Sequence, residues 1–132
     1  MALITRDADA SIDATTAMYA PQITGLLAGE AIDIAAPCYI KSADGLVYMS
    51  NGTAADEEAE TIGFSSRAAI AGQPVTLFGH GTRFHYGSAL TPGDRYFIAA
   101  TKGRLDGAGT TGDAVGVATV INATDIRVVR DN

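Results

Sequence analysis

Turn-forming residues interrupt this chain so often that no long regular segment fits between them. The interruptions are Ala43-Asp44-Gly45, Ser50-Asn51-Gly52, Ala71-Gly72-Gln73-Pro74, Thr91-Pro92-Gly93-Asp94 and the glycine-rich stretch 107–112. Glycine, proline, asparagine and aspartate supply the backbone conformations that tight turns require. The segments between them are short and rich in Val, Ile, Thr, Tyr and Phe, which are favoured in strands. The pattern therefore predicts an all-β domain with many turns.

The short apolar segments between the turns give the predicted strands. They are Ile32–Ile34, Cys38–Lys41, Val47–Met49, Thr61–Phe64, Val75–Phe78, Thr82–Tyr86, Arg95–Ala99, Ala114–Ile121 and Ile126–Arg130. Their apolar positions supply the predicted core, which consists of Tyr39, Ile40, Ile62, Phe64, Val75, Leu77, Tyr96, Ile98, Val115, Val117, Ile126 and Val128. Residues 53–60 fit either a single helical turn or an exposed acidic loop, and we favour the loop.

The strands fall into an internal repeat. Residues 37–46 align with 94–105, residues 61–65 with 114–118, and residues 73–77 with 124–128. The shared unit is a strand with Tyr, a glycine turn, a short strand, a loop, an apolar-Gly-apolar strand and a closing strand. Its central glycine permits the bend that a small curled sheet needs. We expect two such units, about 25–80 and 81–132, to pack into one small β-barrel or β-sandwich.

Residues 1–24 differ from the rest of the chain. They are mostly small and polar, with isolated apolar residues at Ile4, Ile12, Met18, Tyr19 and Ile23. Such a stretch buries too little apolar area to offset its own ordering entropy. The composition predicts an extended N-terminal arm that is ordered only on another subunit. A helix over 8–18 is the alternative, although Ser11, Thr15 and Thr16 are poor helix formers.

Length and charge exclude several classes of protein. A chain of 132 residues suits one domain, or one domain with an arm. A net charge of −6 argues against holding nucleic acid through phosphate neutralisation. No run of about 18 apolar residues and no basic-then-apolar start is present, so we expect neither a membrane span nor a signal peptide. The single cysteine, Cys38, excludes an internal disulfide, fits a reducing compartment, and is interpreted as a buried structural thiol.

Charge is divided unevenly along the chain. Residues 1–66 hold two cations and ten acids, whereas residues 67–132 hold seven cations and five acids. Either this is a chance distribution on a solvated surface, or copies of the chain meet through complementary patches. The second interpretation predicts a homo-trimer in which acids of 1–66 face Arg83, Arg95, Arg104, Arg127 or Arg130 of a neighbour. The candidate interface residues are Ile4, Arg6, Ile12, Met18, Tyr19, Ile23, Arg83, Arg95 and Arg104.

The residues that could carry chemistry do not form a recognisable site. His80 and His85 would point to opposite faces of one strand, and metal binding needs further converging ligands. Asp56, Glu57, Glu58 and Glu60 are nearly consecutive, unlike the alternating ligands of a calcium loop. The glycine-rich stretch 107–112 lacks the context of a phosphate loop. We therefore expect no catalytic residues, no cofactor and no metal.

The order of turn glycines and apolar positions resembles small capsid decoration (cement) proteins of tailed bacteriophages. The residues that carry the resemblance are Gly25, Gly29, Glu30, Tyr39, Gly45, Ile62, Gly63, Phe64, Gly72, Pro74, Val75, Leu77, Leu90, Pro92, Gly93, Tyr96, Gly103, Leu105, Val115, Gly116 and Val117. The resemblance covers residues 25–130, and the N-terminal arm has no counterpart in it.

This resemblance implies a non-enzymatic β-rich virion protein that binds the outer surface of an expanded head, often as a trimer. Its expected partner is the major capsid protein, whose neighbouring subunits it braces, and its expected location is the capsid exterior after synthesis in the host cytoplasm. Two alternatives stay open: a tail, fibre or receptor-binding β-module of a virion, and a small ligand-binding β-barrel that uses His80 or His85.

Overall fold

The computed structural model describes residues 3–8, 10, 22–54 and 56–129, and these residues form ten strands and no α-helix. The all-β prediction is confirmed. In chain order the strands are β1 (Gln22–Leu27), β2 (Pro37–Ile40), β3 (Val47–Met49), β4 (Gly63–Ser65), β5 (Pro74–Phe78), β6 (Arg83–His85), β7 (Arg95–Ile98), β8 (Leu105–Asp106), β9 (Ala118–Val120) and β10 (Asp125–Val128).

The strands form two antiparallel five-stranded sheets with the same topology. The first sheet has the order β1-β5-β4-β2-β3 and the second has the order β6-β10-β9-β7-β8. Each strand of the first sheet thus has a counterpart five strands later in the chain. The two similar units expected from the sequence are therefore present, with β5 ending at Phe78 and β6 beginning at Arg83.

Matching hydrogen bonds fix which residues of the two units are equivalent. In the β2–β3 hairpin, the Lys41 N–H donates to the Leu46 carbonyl, and in the β7–β8 hairpin the Ala99 N–H donates to the Arg104 carbonyl, both at 2.9 Å. By this register Gly45 is equivalent to Gly103. Both glycines have a left-handed backbone, with φ of 73° and 78°, which the hairpin turn requires.

The register of the repeat differs from the sequence alignment in all three parts. The hairpin register makes Tyr39 equivalent to Phe97, whereas the alignment paired it with Tyr96. The Ser65 N–H donates to the Ala36 carbonyl and the Val120 N–H to the Asp94 carbonyl, which makes Ser65 equivalent to Val120. The alignment paired Ser65 with Ala118, two residues away. A shift of two residues keeps every side chain on the same face of a strand, so the apolar pattern could not detect the error.

Two buried clusters form the core, and one of them joins the two sheets. One lies within the first sheet and includes Cys38, Val47, Val75 and Leu77. The other is built around the inward residues of the second sheet, and Phe64 and Phe78 of the first sheet join it. The Phe64 ring lies 5.5 Å from the ring of Phe84. The two units therefore share a continuous apolar contact and pack as one body.

Most of the predicted core is buried, with one clear exception. The buried members are Tyr39, Phe64, Val75, Leu77, Tyr96, Ile98, Val117, Ile126 and Val128, and Ile40 and Ile62 are partly buried. Val115 was predicted to be in the core, but 57% of it is exposed. The Asp113 carboxylate accepts hydrogen bonds from the N–H groups of Val115 and Gly116, and this local turn directs Val115 to solvent.

Two predicted strands and one predicted loop need correction. Ile32–Ile34 is not a strand, because Ile32 makes only an isolated bridge to Ala69 before the chain turns. Of the predicted strand Ala114–Ile121 only residues 118–120 are a strand. Glu57–Ala59, predicted as loop, forms one turn of 3-10 helix, and the Glu58 N–H of this turn donates to the Asp56 carboxylate.

The predicted boundary between arm and domain falls inside a strand. β1 begins at Gln22, before the expected boundary at 24/25, and pairs with β5 on the first sheet. Its sequence, Gln-Ile-Thr-Gly-Leu-Leu, lacks strict alternation, and most of its residues are exposed. Pairing with β5 therefore specifies this strand, since its own pattern does not.

Candidate interaction surfaces

The described part of the N-terminal segment, residues 3–8, lies against the second sheet of its own chain. The Ile4 N–H donates to the Leu105 carbonyl and the Asp7 N–H to the Tyr86 carbonyl, both at 2.8 Å. The Arg104 guanidinium donates to the Ile4 carbonyl at 3.2 Å. The segment therefore bridges β8 to the residue that follows β6. The expectation that residues 1–24 are ordered only on another subunit does not hold for residues 3–8.

An ion pair and a histidine–carboxylate contact anchor the same segment. Arg6 Nη2 lies 3.3 Å from Asp33 Oδ2, and the Arg6 side chain is only 14% exposed. His85 Nε2 lies 2.8 Å from Asp7 Oδ2, with both side chains largely buried. Arg6 and His85 thus join the N-terminal segment to the body of the domain. The His85 side chain is thus engaged with Asp7, and this contact does not favour the alternative in which His85 binds a ligand.

Residues 3–8 lie beside the edge strand β8 of the second sheet, as the residues just after β1 lie beside the edge strand β3 of the first sheet. There the Gly29 N–H, just after β1, donates to the Val47 carbonyl of the edge strand β3. Val47 is equivalent to Leu105 in the hairpin register, so the Gly29 and Ile4 bonds have equivalent acceptors, although the bridge at Leu3 is antiparallel and that at Ala28 is parallel. Beside the segment, Leu3, Ile4, Leu90 and Tyr96 line a groove of about 360 Å³. Residues 3–8 thus complete the second unit.

The predicted interface residues are scattered over the molecule. Ile4, Arg6 and Arg104 belong to the N-terminal contact just described. Ile23 lies on β1 with 41% of its surface exposed, whereas Arg83 and Arg95 lie on the second sheet. Ile12, Met18, Tyr19 and Arg130 lie outside the described residues. The structure therefore brings together only part of the predicted set.

The first surface open to a partner is the edge of the first sheet. β1 is an edge strand that, among the described residues, pairs only with β5. It contains no charged residue and no proline, the usual devices that prevent further pairing at an edge. Two of its apolar side chains, Ile23 and Leu27, are 41% and 45% exposed, and the nearby Ile70 is 63% exposed. An extended segment of another protein could add to this edge.

The second surface is a row of cations that crosses the second sheet. Arg95 on β7 pairs directly with Thr119 on β9. Thr119 also pairs with Arg127 on β10, and Arg127 in turn pairs with Arg83 on β6. Directly paired residues point to the same side of a sheet, so the four side chains share one face. We call Arg95, Arg127 and Arg83, with Thr119, the arginine row. Sequence reasoning named its arginines singly, because only the strand register shows that they are neighbours.

The third surface is acidic and belongs to the first unit. The 3-10 turn and its flanks present Asp56, Glu57, Glu58 and Glu60, which we call the acidic turn. Asp56 and Glu60 are exposed, and Glu57 and Glu58 are half-buried. The negative charges of this turn contribute to raising the pKa of the nearby Tyr39 to about 12, although burial of Tyr39 is the larger cause.

The residues whose side chains could take part in catalysis or metal binding do not form a site in the described part of the chain. Cys38 is fully buried, as predicted, and its Sγ donates to the Ala36 carbonyl at 3.2 Å. Burial and the nearby Glu30 raise the pKa of this thiol, so the reactive thiolate is disfavoured. His80 lies exposed in the turn before β6, apart from His85. Within residues 3–8, 10, 22–54 and 56–129, no three His, Cys, Asp or Glu side chains converge as a metal site would require.

Comparison with known proteins assigns no family. No protein-family model matches the chain, and no curated protein matches it. In the described residues no helix has both the length and the apolar character needed to span a membrane.

Proposed function

We propose that this chain is a capsid decoration protein that binds the outer surface of a tailed-bacteriophage head and braces neighbouring major capsid subunits. The proposal starts from the resemblance carried by the turn glycines. Six of those glycines have a left-handed backbone, which is disfavoured for other residues: Gly25, Gly45, Gly72, Gly93, Gly103 and Gly116. Gly25 lies within β1, where the register with β5 shifts, and the other five lie in turns or loops. Six of the eight glycines in the resemblance thus lie where the backbone conformation favours glycine, which supports the proposal.

The observation that carries the proposal is the open edge of β1. A decoration protein attaches to the surface of a folded shell. Pairing at a sheet edge supplies main-chain hydrogen bonds for such attachment and needs no binding pocket on this chain. Ile23 and Leu27 of β1 are partly exposed and could enter apolar depressions beside the added strand. An uncharged edge of this kind is hazardous in a free protein, and a natural partner removes the hazard.

The proposal is tested by co-sedimentation of the purified chain with expanded heads assembled from the major capsid protein of the same phage. The native chain is expected to pellet with the heads and to raise their thermal stability. Ile23→Lys places a charge in the β1 edge and is expected to reduce binding about tenfold or more. Thr101→Lys adds the same charge on an exposed turn of the second unit and should leave binding unchanged.

The two variants also define the result that counts against the proposal. Native protein that is folded by circular dichroism and stays in the supernatant at every concentration would reject the decoration function. Equal binding by the Ile23→Lys and native chains would reject β1 as the attachment edge. Pelleting with tails in place of heads would favour the alternative of a tail or fibre module.

A further inference from the structure

The arginine row carries an unusual concentration of positive charge for an acidic chain. Arg127 and Arg83 are direct partners on neighbouring strands, and like charges in that position repel each other. Arg83 is neutralised in part by Asp125, whose Oδ2 accepts its Nε–H at 2.9 Å. Arg127 is exposed and has no hydrogen-bond or ion-pair partner among the described residues. The row thus presents uncompensated cationic charge to its surroundings.

Contacts with the backbone and with Thr119 hold one end of the row in place. The Arg95 Nε–H donates to the Val115 carbonyl at 3.0 Å, and its Nη1 lies 3.4 Å from Thr119 Oγ1. The side chain of Arg95 also covers Gly116, where an added Cβ would come within 2.7 Å of it. Arg95 is therefore positioned before any partner arrives, which lowers the conformational entropy lost on binding.

The face of the first sheet that is equivalent to the arginine row is an apolar contact. The four positions equivalent to the arginine row form a continuous row across the first sheet: Pro37, Phe64, Phe78 and Gln22. Of these, Phe64 and Phe78 are buried and pack into the cluster of the second sheet. In the first unit this face is thus already a contact with a neighbouring unit. In the second unit the equivalent face has Thr119 in place of Phe64 and Arg127 in place of Phe78, with an arginine at each end of the row. The charge of this face favours an anionic partner.

The acidic turn has the charge and the size to be that partner. It presents four carboxylates, and none of them forms an ion pair within the part of the chain that the structure describes. The arginine row spans three strand spacings, roughly 14 Å. The acidic turn covers about 8 Å at the rise of a 3-10 helix, so it fits within the row. Arginine suits this contact because its planar group can pair with a carboxylate through two hydrogen bonds.

We propose that the arginine row of one copy binds the acidic turn of a second copy. The two patches lie on different units of the chain, so each copy offers one of each and the contact is head-to-tail. Such contacts close into a ring when the rotation between copies permits. The inference rests on the proposed function only in taking the phage head as the surface on which the copies assemble. The contact between copies is tested in solution, without heads.

The test is analytical ultracentrifugation of the full chain over a wide concentration range. The native chain is expected to self-associate at about 0.05 M salt and to dissociate at about 0.5 M, because exposed ion pairs are screened. Arg127→Glu should raise the dissociation constant about tenfold or more. Arg67→Glu is the matched control: it reverses an exposed cation outside the row and should leave association unchanged.

Charge reversal on the partner patch gives the decisive comparison. Glu58→Arg should weaken association as Arg127→Glu does, since the Glu58 carboxylate has no hydrogen bond within the described residues that the change would remove. The double variant Arg127→Glu/Glu58→Arg restores opposite charges at every contact and should recover association. Circular dichroism of each variant confirms that the fold is retained.

Three outcomes would overturn the inference. They are a native chain that stays monomeric at low salt, an Arg67→Glu variant that is as weak as Arg127→Glu, and a double variant no stronger than either single one. Because the assay contains no heads, a monomeric chain that still binds heads rejects the contact between copies and leaves the decoration function standing. A chain that self-associates as expected but fails to bind heads rejects the decoration function and leaves the contact between copies standing.

Discussion

Ala35 and Gly93 occupy equivalent positions in the two units, and both have a left-handed backbone, with φ of 54° and 90°. The Ala35 N–H donates to the Ser65 carbonyl and the Gly93 N–H to the Val120 carbonyl, just before β2 and β7. The turn is thus kept in both units although only one of them has glycine there. Ala35 is fully buried, so its methyl group offsets part of the backbone strain.

This pair gives a first prediction on stability. Gly93→Ala should lower the free energy of unfolding by about 1 kcal/mol, because alanine is strained at this φ and its methyl group would gain no contact. Ala35→Gly should change it by less than about 0.5 kcal/mol, since relief of strain is offset by the lost methyl burial and a more flexible unfolded chain. Urea denaturation measures both, with Gly109→Ala as the control at a glycine without positive φ. A cost for Ala35→Gly above that for Gly93→Ala would contradict the argument.

The N-terminal segment gives a second prediction. Ile4→Ala should destabilise the fold by about 1–2 kcal/mol, because Ile4 packs against the cluster of the second sheet. Leu3→Ala is the matched control, since Leu3 is 45% exposed and should cost only a few tenths of a kcal/mol. Thermal and urea unfolding report the difference. Equal, negligible effects would mean that residues 3–8 do not stabilise the isolated chain.

The sequence predicted most strands of this fold because their alternation is strong. In β5 and β10 buried Val75, Leu77, Ile126 and Val128 alternate with Thr76 and Arg127, and both strands lie where they were predicted. β1 was missed because an edge strand with both faces exposed has no apolar period to detect. Val115 was misplaced because a side chain outside the strand, that of Asp113, decides the local turn. Strand register and side-chain capping are tertiary effects that apolar pattern alone does not encode.

The same limit applies to the candidate surfaces. The sequence indicated an acidic first half and a basic second half, and it named Arg83 and Arg95 as interface residues. Their alignment with Arg127 depends on the register of the strand pairs β6–β10, β9–β10 and β7–β9, which composition cannot show. Ile4, an isolated apolar residue of the arm, and Arg6 were both predicted to contact another subunit. Their partners, Leu105 and Asp33, lie on distant parts of the same chain.

Asp113 gives a third prediction. Its carboxylate is almost completely buried and accepts hydrogen bonds from the N–H groups of Ile98 at 2.8 Å and Gly116 at 2.9 Å. Asp113→Ala should lower the free energy of unfolding by about 2–4 kcal/mol, because buried N–H groups lose their acceptor. Asp94→Ala, at an exposed aspartate, should be close to neutral. If chemical denaturation finds the two variants equally stable, Asp113 does not organise this turn.

The buried Tyr39 gives a prediction on alkaline stability. Burial and nearby acids raise its pKa to about 12 in the folded chain, against 10 for a free tyrosine. Between these values the folded state binds more protons than the unfolded state, so stability is full below pH 10 and falls as the pH rises towards 12. The loss from this group should reach about 1–2 kcal/mol. Tyr39→Phe should remove that part of the decline, and parallel stability curves for the two proteins between pH 8 and pH 12 would refute the assignment.

The central claim, attachment to the outside of a phage head, is tested most directly by electron cryomicroscopy of expanded heads saturated with the purified chain. The account predicts added density on the outer surface that fits the two-sheet domain, with β1 against a major capsid subunit. It also predicts the arginine row of one copy beside the acidic turn of the next. Heads that show no added outer density, at concentrations where the chain is folded, would contradict the account.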